Sequence, residues 1–145
     1  MLNRTLVAFS LMIILAGLSS CSMYPENPLL TFGSKEDRVV NAWKVSYATD
    51  EDGTVITEDY GNTKYTFGET GDAELQSELI GATFTGSGTW ELADEAASLN
   101  IDIQYTLLGF TFDLPLRYNI LKLTEDELRL QDQTDSDIVI YLEPF

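Results

Sequence analysis

The sequence contains no histidine, a single cysteine and few basic residues, and each shortage excludes a class of function. Without histidine, no Ser-His-Asp or Cys-His catalytic arrangement can form, and the usual zinc ligand sets are incomplete. One cysteine cannot form an intramolecular disulfide. The 145 residues carry 24 Asp and Glu against 8 Lys and Arg, a net charge of −16. We therefore expect neither a basic nucleic-acid surface nor a polybasic membrane patch.

Long apolar runs are also scarce. The clearest, residues 6–18, is shorter than the roughly 20 residues that a membrane span requires. It follows Arg4 and precedes small residues, an order typical of a secretory signal peptide. The sequence "LSSC" at residues 18–21 resembles the lipobox of bacterial lipoproteins. The alternative is an ordinary signal peptide that happens to end beside a cysteine.

The lipobox resemblance implies a lipid anchor. The signal, residues 1–20, would be removed, Cys21 would receive a diacylglycerol on its sulfur, and its new amine would be acylated. Several acyl chains hold a protein stably at a membrane, whereas one does so only marginally. Ser22 rather than Asp after the cysteine resembles an outer-membrane address, with the periplasmic or surface side left open. Residues 21–34, which contain prolines and a glycine, are predicted to be the lipidated cysteine and its tether.

The remaining residues, 35–145, predict one all-β domain behind a short helix. Ser34 and Asp37 form a helix-start signal. Short segments of alternating polarity follow, with turn signals between them, which is typical of a β-sandwich or barrel. Eight or nine strands are expected, at residues 43–49, 54–60, 62–67, 74–84, 86–92, 98–105, 108–120, 127–132 and 137–142.

Glycines and one proline interrupt this pattern. Gly81, Gly86 and Gly88 are expected to mark bends or bulges. Pro115 lacks an amide donor, which predicts a strand edge or a bulge at that position.

The order and spacing of several residues resemble the lipocalin-like domains of bacterial lipoproteins. The shared pattern covers residues 35–145 and comprises Trp43, Tyr65-x-Phe67, Gly88-Thr89-Trp90, Tyr118-x-Ile120, Leu123-Thr124 and Glu127-Leu128-x-Leu130. This resemblance implies a small up-and-down antiparallel β-barrel, whose closure removes exposed strand edges.

Eight aromatic residues are predicted to point into such a barrel. They either line a pocket for an apolar molecule or fill a solid core, since small barrels do both. These candidate ligand-binding residues are Trp43, Tyr65, Phe67, Trp90, Tyr105, Phe110, Phe112 and Tyr118.

Leu107 and Leu108 are candidates for a partner contact. If residues 106–110 form a hairpin tip, these leucines cover a barrel mouth or contact another protein. Alternatively, the strand continues and both side chains pack.

Two groups of acidic residues are candidates for a metal site or an acid–base pair. Residues 50–52 and the aspartates at 132, 135 and 137 could bind calcium, but aspartate-rich hairpin turns explain them better, and no metal site is predicted. Asp102 and Asp113 are the only plausible acid–base pair, and their strand parity is expected to face solvent.

The expected function is therefore non-catalytic, without a cofactor. The leading hypothesis is an envelope lipoprotein that binds a small apolar ligand or an envelope protein. The alternative is a structural or accessory subunit with a filled barrel.

Overall fold

Eight antiparallel strands form a closed barrel in which each strand pairs with the next and β8 pairs with β1. The computed structural model describes residues 24–27, 33–79, 81–135 and 137–145. Cys21 and the predicted signal lie outside these residues. The elements are α1 Lys35–Val39, β1 Ala42–Thr49, α2 Thr57–Tyr60, β2 Lys64–Phe67, β3 Asp72–Leu79, β4 Ala82–Ala93, a 3-10 turn Asp94–Ala96, β5 Ser98–Leu107, β6 Phe110–Leu123, β7 Leu128–Asp132 and β8 Val139–Pro144.

Alternating polarity places one face of each strand inside the barrel. On β5, Leu99, Ile101 and Ile103 are buried, whereas Asp102 and Gln104 are exposed. This alternation is expected of a sheet with one dry and one wet face. The antiparallel barrel predicted from the sequence is confirmed. In the described part of the chain, no helix has the length and apolarity needed to cross a bilayer.

Helix α1 closes one end of the barrel, which we call the closed end. The Asp37 amide donates to Ser34 Oγ (3.0 Å), and the Ser34 amide donates to Asp37 Oδ2, which completes the predicted capping box. Val39 is fully buried, and its carbonyl accepts a hydrogen bond from Trp43 Nε1 (2.9 Å). Helix α1 therefore covers this end of the barrel, and Val39 packs into the core.

Residues 24–27, which the sequence places in the tether, lie against the closed end. Tyr24 is buried, and the Glu26 amide donates to the Leu121 carbonyl (3.0 Å). The Asn27 side chain donates to the Leu123 carbonyl (2.9 Å) and accepts from the Leu123 amide (2.7 Å). Residues 24–27 therefore pack against the barrel.

The first half of β6 extends past its neighbour β7. Pairing with β7 begins only at Tyr118, so one edge of β6 has no strand partner among the described residues from Phe110 to Arg117. Pro115 lies in this stretch and faces Asp102 of β5 on the other side. The edge position predicted for Pro115 is confirmed, and the bulge of β6 lies between Ile120 and Lys122 instead.

The strand predicted at residues 54–60 is wrong. Val55 makes an isolated bridge to Thr49, and Thr57–Tyr60 forms the short helix α2. The Thr57 hydroxyl accepts a hydrogen bond from the Ala48 amide (3.0 Å), which connects the start of the helix to β1. Acidic side chains in the first turn also suit the positive end of a helix, and here they are Glu58 and Asp59.

The sequence places bends or bulges at Gly86 and Gly88, but neither is a bulge, because β4 pairs with β3 in continuous register through both. They allow β4 and β5 to approach closely instead. A Cβ atom at Gly88 would overlap the Asp102 carbonyl oxygen, and one at Gly86 would overlap the Ile103 side chain. Gly81 does lie in a turn, with φ of +74°.

The tip between β5 and β6 is the tight hairpin turn that the sequence allowed. Leu107 pairs with Phe110, and the two residues between them, Leu108 and Gly109, have φ of +51° and +83°. Positive φ at both central residues is the type I′ pattern, which favours Asn-Gly and is unusual for leucine. Leu108 is 91% exposed, so no packing compensates for this conformation.

We predict that Leu108→Asn stabilises the barrel. The left-handed region costs a bulky residue about 1–2 kcal/mol, so the free energy of unfolding should rise by about 1 kcal/mol. Chemical denaturation of residues 24–145 measures this change. Thr111→Asn, at an exposed strand position of the same hairpin, is the control and should bring no gain. An equal or lower stability for Leu108→Asn would contradict the assigned turn.

Candidate functional site: a cavity at the open end of the barrel

Large aromatic side chains fill the half of the barrel next to α1. Trp43, Phe67 and Trp90 are buried, and the Phe67 and Trp90 rings meet edge to face at 5.7 Å. Trp90 Nε1 donates to the Gly68 carbonyl (3.0 Å). These three residues were candidates for ligand binding, but they lie in the packed core and do not line the cavity described next.

The opposite half holds a cavity of about 850 Å³. It opens where the β1–β2, β3–β4, β5–β6 and β7–β8 connections meet, which we call the open end. Two long hairpins, β3–β4 and β5–β6, and helix α2 surround it. The lining residues are Asp59, Tyr60, Thr63, Tyr65, Leu75, Ser77, Glu78, Thr83, Phe84, Thr85, Tyr105, Thr106, Leu107, Phe112, Leu114, Leu116, Tyr118 and Asp132.

Two tyrosine hydroxyl groups meet at the floor of the cavity. Tyr65 and Tyr118 are buried, and their hydroxyl oxygens lie 3.4 Å apart. Burial raises the pKa of Tyr118 to about 12 and that of Tyr65 well above its usual value. Both hydroxyls are therefore neutral at physiological pH. The floor offers weak hydrogen bonding and no charge.

One wall of the cavity is apolar and comes from the β5–β6 hairpin. Tyr105 and Phe112, both sequence candidates, face each other across the ladder and line this wall with Leu107, Leu114 and Leu116. Phe110 is 69% exposed at the hairpin end and is not among the lining residues. Of the predicted aromatics, Tyr65, Tyr105, Phe112 and Tyr118 therefore come together at the cavity.

The remaining boundary is polar and acidic. Asp59 and Tyr60 come from α2, Glu78 from the end of β3 and Asp132 from the end of β7. Burial first, and then the charges of Asp132 and Asp59, raise the pKa of Tyr60. Among the described residues, no Lys or Arg lines the cavity.

Sequence reasoning did not find this acidic boundary. The sequence pattern predicts a strand at residues 54–60, and this prediction does not place Asp59 and Tyr60 at the cavity. Asp132 was assigned to an acidic turn, although it shares the inward parity of Leu128 and Leu130 on β7. The inward parity of Asp132 at the end of β7 is the sequence signal that could have placed it at the cavity.

The acidic clusters make hydrogen bonds within their own turns. Asp50 Oδ1 accepts the Asp52 and Thr54 amides at 3.1 and 2.9 Å. Asp132 Oδ1 accepts two amides of the β7–β8 turn at 2.6 and 3.1 Å. No cluster of three or more potential metal ligands occurs within the part of the chain that the structure describes.

The two carboxylates that the sequence offers as an acid–base pair lie on the outer face of the barrel. Asp102 forms an ion pair with Arg117 (2.7 Å), and Asp113 accepts a hydrogen bond from Gln104 Nε2 (2.9 Å). Both carboxylates belong to the face that points away from the barrel interior, as expected.

We predict that stability falls at alkaline pH through the cavity floor. A phenol whose pKa is raised on folding stabilises the protein below its unfolded pKa, near 10, and loses that contribution as pH rises toward about 12. Tyr118→Phe should therefore weaken the dependence of unfolding free energy on pH in that range. Denaturation curves at several pH values measure it, with neutral pH as the reference. Identical slopes for both proteins would contradict the buried, neutral floor.

Comparison with known proteins supports the fold. No protein-family model matches the chain, and no curated protein matches it in sequence. The chain is similar in structure to a lipocalin-like protein from Bacteroides uniformis, with a TM-score of 0.54 and 17% sequence identity. The match covers 74% of this chain and 99% of the other. The chain therefore has a lipocalin-like fold.

Proposed function

We propose that this chain is a lipid-anchored envelope protein whose barrel binds a small apolar molecule in the open-end cavity. The observation that carries this proposal is the cavity itself. Its volume of about 850 Å³ lies within the range of roughly 300–1,000 Å³ found for small-molecule sites. Its apolar wall and neutral tyrosine floor suit a largely hydrocarbon or aromatic ligand.

Binding without chemical conversion fits the groups at the cavity. The tyrosines of the floor have raised pKa values, so they are poor bases near neutral pH. The acid–base candidates Asp102 and Asp113 lie outside the barrel. A lipocalin-like fold also supports binding rather than catalysis.

The anchor proposal rests on Cys21 and on the docking of the residues that follow it. Tyr24, three residues later, is already packed at the closed end of the barrel. Three residues span at most about 10 Å. The acyl chains on Cys21 would therefore hold the closed end near the membrane and leave the cavity mouth facing away. Ser22 supports the outer membrane as the location.

A second candidate function is partner binding at the β5–β6 tip, as an accessory envelope subunit. Leu108 is 91% exposed in an unfavourable backbone conformation, and Phe110 follows two residues later on the same hairpin. Leu107 lines the cavity mouth beside them. Exposed apolar groups of this kind often mark contact sites. If the cavity binds no ligand, partner binding at the β5–β6 tip becomes the favoured function.

We predict that residues 24–145 bind a neutral fluorescent probe, N-phenyl-1-naphthylamine, and that Ser77→Trp blocks binding. Ser77 lines the cavity, so an indole ring there would occupy its volume and weaken binding by about tenfold or more. Fluorescence titration measures the affinity, and circular dichroism checks folding.

Gln76→Trp is the matched control, since the neighbouring side chain on β3 points to the outer face of the barrel. It should leave the affinity unchanged. Equal affinities for the two variants would place the probe outside the cavity. No binding by the unmodified protein would contradict the ligand proposal and favour the hairpin tip as the functional surface.

We also predict that Cys21→Ser abolishes acylation and membrane attachment, because the sulfur is the acceptor of the lipid. Metabolic labelling with a fatty-acid analogue and fractionation of the host envelope measure both effects. Ser20→Ala, which keeps a small residue before the cysteine, is the control and should remain labelled. Labelling that persists in Cys21→Ser would contradict the anchor.

A further inference from the structure

The basic residues are engaged away from the cavity. In the described part of the chain, each Lys and Arg has a partner at the closed end or on the outer face. These contacts are Lys35 with the Glu95 carbonyl, Arg38 with the Leu123 carbonyl, Lys44 with Glu143, Lys64 with the Phe145 ring, Arg117 with Asp102, Lys122 with Glu127, and Arg129 with Glu26 and Glu127. None is placed to neutralise an anion in the cavity.

Two carboxylates at the cavity lack such a counter-charge. Asp59 and Asp132 line it, and neither forms an ion pair with a described Lys or Arg. Glu78 lies at the rim on the outward face of β3 and accepts a hydrogen bond from the Asn62 side chain (2.6 Å), whereas Asp132 accepts amides of its own turn. The protein's net charge of −16 adds a field that attracts cations to a recessed acidic mouth.

Aromatic rings lie beside these carboxylates. Tyr60 is half-buried in the same helix as Asp59 and within electrostatic reach of Asp132. Tyr105 and Phe112 line the adjoining apolar wall. Ring faces attract an ammonium group, and aromatic residues combined with carboxylates are a common means of binding one.

We infer that the cavity is selective for a cationic amphiphile: a hydrocarbon body against the β5–β6 wall, with an ammonium group toward Asp59 and Asp132. This inference rests on the proposed binding function and adds the charge of the ligand to it. A fatty-acid carboxylate would be desolvated beside like charges with no basic partner, so it binds poorly. A neutral alcohol of the same chain length is intermediate.

The test compares three ligands that differ only in head group: a decylammonium salt, decanol and decanoate. Each displaces N-phenyl-1-naphthylamine from residues 24–145 below its micelle concentration. We expect decylammonium to bind at least about tenfold more tightly than decanoate. The double variant Asp59→Asn and Asp132→Asn should remove most of this preference. Glu51→Gln with Asp52→Asn changes the net charge equally, outside the cavity, and should preserve it.

The outcomes separate the two proposals. Decanoate that binds as tightly as decylammonium would overturn the charge selectivity while leaving the binding function standing. If the preference for decylammonium survives Asp59→Asn with Asp132→Asn, the cavity carboxylates do not cause it. If it is lost equally in the control double variant, the general electrostatic field of the protein causes it. Either result would overturn the proposed ammonium site. Failure of the neutral probe itself to bind would overturn the binding function.

Discussion

The pairing of β8 with β1 is the interaction on which the rest of the structure depends. It joins the two ends of the sheet, so the ladder has no outer strand and all the inward side chains share one interior. An eight-stranded barrel is just wide enough to be filled by side chains or to hold one small ligand. Here both occur, because Trp43, Phe67 and Trp90 fill one half and the other half is open.

Unequal strand lengths explain why the open half exists. β4 and β6 have 12 and 14 residues, whereas β2 and β7 have 4 and 5. The long hairpins therefore continue beyond the short strands, and their inner faces keep an apolar surface without a facing strand. The short strands give way to α2 and to the turn at Asp132, which bring carboxylates to the same opening. An apolar wall and an acidic boundary thus meet in one cavity.

Local patterns in the sequence predicted the strands and the first helix well, because alternation and capping depend on neighbours along the chain, whereas the barrel rather than a sandwich came from the resemblance to lipocalin-like domains. Leu99, Ile101 and Ile103 reveal their inward face without any tertiary information. The role of Gly88 could not be predicted in this way, since it depends on the distance from β4 to the Asp102 carbonyl. The same applies to the cavity: only the lengths of separate strands decide that Tyr105 lines it while Trp90 is packed in the core.

Native mass spectrometry of residues 24–145, produced in the host without the anchoring Cys21 and purified without detergent, tests the central claim most directly. The account predicts an additional mass of one small molecule that is released on denaturation. A protein that carries no additional mass, and acquires none after incubation with a lipid extract of the host, would contradict ligand binding in the cavity.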